Sequence, residues 1–144
     1  MTKKVLVLSA SFRKHGNSDM LCDRFIQGAR EAGNEVEKIY VSDMRIGYCR
    51  GCGVCNRTHK CVQNDDMAAV LDKMVAADVI VMATPVYFYS MNGQLKTLID
   101  RTVPRYEEIR GKDFYYIVAA ADDNRDNMRR TIEGFRAFAD DCLE

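Results

Sequence analysis

The stretch VLVLSASFRKHGNS, residues 5–18, decides how this chain can fold. Its first five residues form a short, almost continuously apolar run, which is typical of a strand buried on both faces. A polar loop follows, and from about Asn17 apolar residues recur at helical spacing until Gly33, since glycine is a common residue just after a helix end. The stretch therefore predicts a strand, a loop and a helix in that order.

The same alternation continues along the rest of the chain. Alternating strands and helices imply right-handed crossovers and a parallel sheet. We therefore predict the α/β class, with an open doubly wound parallel sheet that binds its ligand outside the carboxyl ends of the strands, where the strand order reverses. The remaining predicted elements are an edge strand at 35–41, a helix capped by Asp65 or Asp66, a buried strand at 79–83, a loop at 84–92, a helix around 95–99, a buried strand at 114–120 and a helix around 128–138.

The predicted strand FYYIVAA, residues 114–120, has the composition of an interior strand, yet no strand is predicted after it. A bare apolar edge promotes aggregation. We therefore expect either that a further strand and helix complete the sheet or that a neighbouring chain covers this edge.

Length and charge exclude several classes of protein. The 144 residues fit one domain spanning 1–144, and 21 basic side chains balance 21 acidic ones, so a nucleic-acid-binding protein is not expected. No apolar run approaches the roughly 20 residues that cross a bilayer, so no membrane association is expected. The N-terminus lacks the pattern of a signal peptide. We expect a cytoplasmic protein, in which thiols stay reduced.

Small polar residues are concentrated in the loop after the first strand, which holds Ser9, Ser11, Gly16, Asn17 and Ser18. The start of a helix favours a phosphate, because its N–H groups are free and carry partial positive charge. The loop matches neither GxGxxG nor GxxxxGK[ST], so a phosphate monoester fits better than a dinucleotide or a nucleoside triphosphate. An ordinary polar turn with a capping residue explains the same composition equally well.

The loop TPVYFYSMNGQ, residues 84–94, places three aromatic side chains just beyond a buried strand. Such a wall suits a flat aromatic ligand. Two other interpretations stay open: the rings pack under a helix, or they form a dimer interface. The polar turn at 120–124 ends the next strand and would complete a pocket formed by three strand ends.

Four of the six cysteines lie within CRGCGVCNRTHKC, residues 49–61, where Gly51 and Gly53 permit sharp turns. The compact spacing is characteristic of iron–sulfur ligation. Zinc with His59 as a further ligand, a redox-active dithiol and metal-free thiols are the alternatives. The candidate metal ligands are Cys49, Cys52, Cys55 and Cys61.

Three motifs together resemble one family. SFRKHGNS resembles the S-x-R-x-x-G-N-[ST] phosphate loop of the flavodoxin-like NAD(P)H-dependent FMN reductases, and TPVYFYSMNGQLKTLIDR resembles the second flavin loop and the helix after it. The cysteine spacing C-x2-C-x2-C-x5-C resembles that of the iron–sulfur flavoproteins, a branch of that family. The resemblance covers nearly the whole chain, with two departures: Ala10 stands where the family usually has glycine, and the family's last strand and helix are absent.

The resemblance implies a flavodoxin-like fold and bound FMN. It assigns the FMN phosphate to Ser11, Arg13, Asn17 and Ser18, with Ser9 nearby. It assigns the flavin ring to Pro85, Val86, Tyr87 and Phe88 on one side and to the loop from Ala121 and Asp122 on the other. It also implies NAD(P)H or a reduced carrier as electron donor, and a homodimer or homotetramer with the flavin near the subunit interface.

Three functions stay open at this point. The first is an iron–sulfur flavoprotein, in which FMN couples a hydride donor to a [4Fe-4S] cluster and electrons pass to a small-molecule or protein acceptor. The second is an FMN-dependent reductase of quinones, nitro compounds or metal ions with idle cysteines. The third is a non-catalytic, zinc-stabilised binding module. No side chain is expected to act as an acid–base catalyst, and we expect Asp100 and Arg101 to form a structural pair at a helix end.

Overall fold

Strands and helices alternate along the chain in the computed structural model, which describes residues 1–143 and confirms the α/β class. The strands are β1 (Lys4–Ser9), β2 (Glu35–Tyr40), β3 (Val79–Tyr87), β4 (Ser90–Met91) and β5 (Asp113–Ala119). The helices are α1 (Asn17–Glu31), α2 (Cys55–Thr58), α3 (Met67–Ala76), α4 (Gly93–Asp100) and α5 (Arg129–Arg136). Short 3-10 segments lie at Val41–Asp43, Val103–Ile109 and Arg125–Met128, and a π-helical segment at Ala137–Cys142 follows α5.

The four long strands form a parallel sheet in the order β2-β1-β3-β5, as expected for a flavodoxin-like sheet. The chain moves outward from β1 to β2 and then returns past β1 to β3, so the strand order reverses between β1 and β3. Ligands of such sheets bind at this reversal, beyond the carboxyl ends of the strands.

Alternate residues of β1 fill two cores, one on each face of the sheet. Val5 and Val7 pack with Cys22 and Ile26 of α1, whereas Leu6 and Leu8 face the core formed with α3, α4 and α5. Fully burying one such aliphatic side chain stabilises the fold by about 1.5–3 kcal/mol. Both faces of β1 are buried, which explains its continuous apolar sequence.

The predicted interior strand at 114–120 is an edge strand in the structure. β5 pairs with β3, no strand pairs with its other side among residues 1–143, and Tyr115 is half exposed. The ring of Tyr115 lies 5.5 Å from that of Phe25 on one face, and Tyr116 stacks on Phe135 at 4.9 Å on the other. The aromatic composition that indicated an interior position serves packing against one helix on each face.

The predicted loop at 84–92 is also more regular than expected. β3 continues through Pro85 to Tyr87 and pairs antiparallel with β4, which makes a hairpin whose tip is Phe88–Tyr89. Across residues 1–143, no helix has the length and apolar character needed to span a bilayer.

Candidate functional site

Three loops leave the sheet at the same edge, and they carry the residues assigned to the FMN site. Ser9 at the end of β1 aligns with Ala83 of β3, and Pro85 aligns with Ala119 of β5. The structure therefore brings the ends of β1, β3 and β5 together at the point where the strand order reverses.

The phosphate loop, defined here as residues 9–18, folds tightly against the start of α1. The hydroxyl of Ser11 accepts the backbone N–H of Arg13 at 3.0 Å, and Gly16 caps the helix. A Cβ on Gly16 would lie 2.9 Å from the carbonyl oxygen of Arg13, so the turn requires glycine for space. Arg13 and Asn17 are exposed at the helix start, whereas Ser11 and Ser18 are buried within the loop.

A buried ion pair lies beneath the phosphate loop. The carboxylate of Asp19, fully buried, accepts hydrogen bonds from the Ser9 hydroxyl at 2.9 Å and from the backbone N–H of His15 at 2.8 Å, and it pairs with Lys38 at 2.7 Å. Burial alone would raise the pKa of Asp19, but these hydrogen bonds lower it below the usual value. Ser9 thus supports the loop from below through Asp19.

The sequence did not reveal this pair, because Lys38 lies on β2, and an acidic residue in a first helical turn is usually read as an exposed one.

The hairpin tip presents aromatic side chains to solvent. Phe88 is fully exposed, and Tyr87 and Tyr89 are about half exposed, so the alternative that these rings pack under a helix is wrong for Phe88. Phe88 and Tyr89 have φ values of 48° and 63°, a backbone region that hairpin turns usually fill with Asn or Gly. Aromatic residues in such a conformation indicate a functional constraint on the tip.

Asn92 joins the first two loops and was not among the predicted site residues. Its side-chain amide donates to the carbonyl of Ala10 at 2.7 Å, and its oxygen accepts the N–H of Leu95 at 3.1 Å, which caps α4. Its backbone N–H donates to the Thr84 hydroxyl at 3.0 Å. The asparagine immediately before a helical apolar pattern was the available signal.

The third loop is open to solvent. Ala121 and Asp122 are exposed, and the carboxylate of Asp122 accepts the backbone N–H of Asn124 at 2.8 Å and the side-chain amide of Asn127 at 2.5 Å. Asp122 therefore holds the shape of its own turn.

The cysteine loop, defined here as residues 47–65, gathers its four thiols around one cavity. A cavity of about 190 Å³ is lined by Cys49, Cys52, Cys55 and Cys61 and also by Arg101. Gly51 and Gly53 have φ values of 65° and 73°, which confirms that they permit the sharp turns. A helix of one turn, α2, starts at Cys55, where a loop was expected.

Arg101 joins the two ends of the cysteine loop, Gly47 and Asp65, which together are called its neck. Its guanidinium binds both carboxylate oxygens of Asp65, at 2.8 and 3.0 Å, and donates to the carbonyl of Gly47 at 2.7 Å. The expected pairing with Asp100 is wrong: Asp100 binds the exposed Lys96, because the end of α4 turns Arg101 into the core.

The carboxylate of Asp65 also accepts the N–H groups of Gly47 and Met67, so it meets both ends of the loop. Burial alone would raise the pKa of Asp65, yet these bonds lower it to about 2. A second pair of bonds joins Arg45 and Asp66 beside it.

The spacing of the sulfurs bears on which metal the loop could hold. Four thiolates around one zinc ion lie about 3.8 Å apart, given tetrahedral Zn–S bonds of about 2.3 Å. No three cysteine sulfurs of residues 1–143 lie within 4.8 Å of one another, and His59 does not line the cavity. In a four-iron cluster each thiolate binds a different iron, so wider spacing is expected. Four cysteines at this compact spacing in the sequence are typical of iron–sulfur ligation, so the donor set fits a cluster.

Comparison with known proteins identifies relatives of this sequence. The family model described as NADPH-dependent FMN reductase matches residues 3–131. The chain is 38% identical over 101 residues to an iron-sulfur flavoprotein of Archaeoglobus fulgidus, covering 70% of this chain and 46% of that protein. It is 37% identical over 100 residues to an iron-sulfur flavoprotein of Methanosarcina thermophila, covering 69% and 52%.

Among solved structures, RosB with bound 8-demethyl-8-formylriboflavin-5'-phosphate superposes with a TM-score of 0.76 at 17% identity, over 99% of this chain and 60% of RosB, and it shares the fold. This chain spans about half the length of the two curated relatives described here. The match to the family model covers most of the sequence and all three loops at the sheet edge. The chain therefore belongs to the NADPH-dependent FMN reductase family.

Proposed function

We propose that this chain binds FMN noncovalently at the edge formed by the ends of β1, β3 and β5, and that it transfers electrons from NAD(P)H or a reduced carrier as an iron–sulfur flavoprotein. The convergence of the phosphate loop, the aromatic hairpin and the turn after β5 at the strand-order reversal carries this proposal. Family membership and the relatives that are iron-sulfur flavoproteins support it.

In this proposal the chain supplies binding and position. Ser11, Arg13, Asn17 and Ser18 hold the phosphate at the start of α1, where free N–H groups favour an anion. The hairpin residues Pro85, Val86, Tyr87 and Phe88 support the ring, and Ala121 and Asp122 approach it from β5. Bound FMN supplies the redox chemistry, since it accepts two electrons and releases them singly.

The four cysteines would hold a [4Fe-4S] cluster in the cavity of the cysteine loop. Cys49 and Cys52 are exposed and Cys55 and Cys61 half-buried, so the site lies near the surface, where electrons can reach a small-molecule or protein partner. We further propose a homodimer or homotetramer, because the exposed aromatic tip at Phe88 is otherwise left in water.

The FMN site is tested by comparing FMN with riboflavin, which lacks the phosphate. Asn17→Asp adds a negative charge at the start of α1, so we expect the Kd for FMN, measured by fluorescence quenching, to rise at least about tenfold, or 1.4 kcal/mol. The Kd for riboflavin should stay unchanged. The control Gln27→Glu adds the same charge farther along α1 and should leave both values unchanged. Equal effects on both ligands would contradict the assigned phosphate site.

The cluster is tested by metal analysis of protein purified without oxygen. About four irons and four sulfides per chain beside FMN are expected for a four-iron cluster. Yellow protein without metal would favour a cluster-free FMN reductase, and steady NAD(P)H oxidation with a quinone would support that outcome. Stoichiometric zinc without iron would favour the binding module.

A further inference from the structure

Arg101 is the one large charged side chain wholly enclosed at the cysteine loop. It is 1% exposed, and it ends α4 one residue after an exposed ion pair between Lys96 and Asp100. Its two terminal nitrogens make three hydrogen bonds, two to Asp65 and one to Gly47. These bonds fix the plane of the guanidinium.

One of the two remaining donors of this guanidinium, its Nε–H, has no partner. The Nε of Arg101 is the only buried side-chain nitrogen or oxygen without a hydrogen bond in the part of the chain that the structure describes. A buried donor without a partner is unfavourable, because it has lost its hydrogen bonds to water. Arg101 lines the cavity of the four cysteines, and the hydrogen bonds that it donates to Asp65 raise its pKa.

Resting on the proposed cluster, we propose that Arg101 is a positioning residue that places one buried positive charge, with a free N–H donor, at the cavity lined by the four cysteines. The charge offsets the negative charge of four thiolates and stabilises the reduced form of the cluster. Net charge and hydrogen bonds to sulfur are two of the factors that set the potential of such clusters. Asp65 has the opposite effect, because its carboxylate partly cancels the same charge.

If Arg101 has this role, removing its charge and removing the charge of Asp65 should change the reduction of the cluster in opposite directions. Arg101→Gln leaves the Asp65 carboxylate uncompensated, and we expect the equilibrium constant for one-electron reduction of the cluster to fall at least tenfold, which is 59 mV. Asp65→Asn leaves the guanidinium uncompensated and should raise that constant. Arg101→Lys keeps the charge and should stay within about threefold of the parent protein. A purely structural role would shift Arg101→Gln and Asp65→Asn in the same direction.

The experiment is an anaerobic redox titration of the cluster-loaded full chain, followed by visible absorption and electron paramagnetic resonance. Lys96→Gln and Asp100→Asn form the matched control pair, because they change the same charges on the exposed face of α4. Exposed charges are screened by salt, so each control should change the constant less than twofold. The inference would be overturned if Arg101→Gln and Asp65→Asn changed the equilibrium constant for reduction in the same direction. It would also be overturned if neither variant changed this constant more than the controls do.

A parent protein that loads no cluster would refute the proposed cluster, and the inference would then be tested with Co²⁺ on the metal-free thiols. Arg101→Gln should weaken Co²⁺ binding at least tenfold, and Asp65→Asn should not weaken it. Co²⁺ affinities that are equal in all variants, or a parent protein that binds no Co²⁺, would overturn the inference. A loaded cluster with unchanged potentials would overturn it and leave the proposed function intact.

Discussion

The phosphate loop and the cysteine loop are held by the same arrangement: a carboxylate that is buried in one and partly buried in the other binds loop N–H groups and is paired with a cation from another element. In the phosphate loop, Asp19 binds the N–H of His15 and pairs with Lys38 of β2. In the cysteine loop, Asp65 binds the N–H of Gly47 and pairs with Arg101 at the end of α4. One arrangement thus serves both the loop proposed to bind the phosphate and the loop proposed to bind a metal.

The two cations differ in what they leave unused. Lys38 spends all three donors, on Asp19, Asp23 and the hydroxyl of Tyr40. Arg101 keeps its Nε free beside the cysteine cavity. The pair under the phosphate loop is therefore closed and structural, whereas the pair under the cysteine loop still has a donor to offer.

The largest expected effect is the loss of the closed pair. Lys38→Met leaves the fully buried Asp19 without its cation, and we expect the free energy of unfolding in urea to fall by about 3 kcal/mol. The neighbouring Lys73→Met removes the exposed pair with Glu37 and should change stability by no more than about 0.5 kcal/mol. Equal losses in both variants would show that burial of Asp19 is not decisive.

The second largest expected effect is the loss of the link that Asn92 makes between the phosphate loop and the hairpin. Asn92→Ala removes the cap of α4 and leaves the Ala10 carbonyl unpaired, so we expect a loss of about 2 kcal/mol in the same assay. Asn124→Ala removes a cap of the same kind at an exposed site and should cost less than about 1 kcal/mol. A similar cost for both would mean that the bond to Ala10 adds little.

The pairing of Asp65 with Arg101 makes the stability of the fold depend on pH in acid. The pKa of Asp65 falls from 3.8 to about 2 on folding, so this carboxylate contributes about 2 kcal/mol above pH 4. That contribution is lost as the pH falls through 2, because the group must then be protonated in both states. Urea unfolding at pH 2 to 5 should show a smaller slope for Asp65→Asn than for the parent chain, and equal slopes would contradict the low pKa.

The smallest expected effects come from replacing two glycines by alanine, one in the cysteine loop and one inside a helix. Gly51 has φ of 65° with no atom near its missing Cβ, so Gly51→Ala should cost about 1 kcal/mol through backbone strain alone. Gly28 lies inside α1, also with open space, and Gly28→Ala should instead stabilise by about 1 kcal/mol. Thermal unfolding measures both, and effects of equal sign would contradict this difference.

Much of the fold could be predicted, because its signals are local. The runs of β1 and β3, the helical spacing after Asn17 and the turn-forming glycines each depend on neighbouring residues. The strand-order reversal follows from connectivity, so the place where the three loops meet was also accessible. The absence of a strand after β5 was also visible in the sequence, but the apolar composition of β5 indicated an interior strand, since composition does not say how many partners a strand has.

The missed ion pairs and the missed role of Asn92 depend on contacts between distant residues. Arg101 and its partner Asp65 are 36 positions apart, and Lys38 reaches Asp19 from a different element. Asn92 reaches the carbonyl of Ala10 over 82 positions. The sequence shows Asp100 beside Arg101, and adjacency in the sequence suggested the wrong pair.

The closed neck of the cysteine loop has a consequence for evolution and for engineering. Arg45 and Gly47 on one side meet Asp65 and Asp66 on the other through short hydrogen bonds, so the residues between them begin and end at nearly the same point. Doubling the length of such a loop costs only about 0.6 kcal/mol in closure entropy. The segment can therefore change in length, or be replaced by another metal-binding loop, at little entropic cost, while the sheet and the edge proposed to bind FMN stay unchanged.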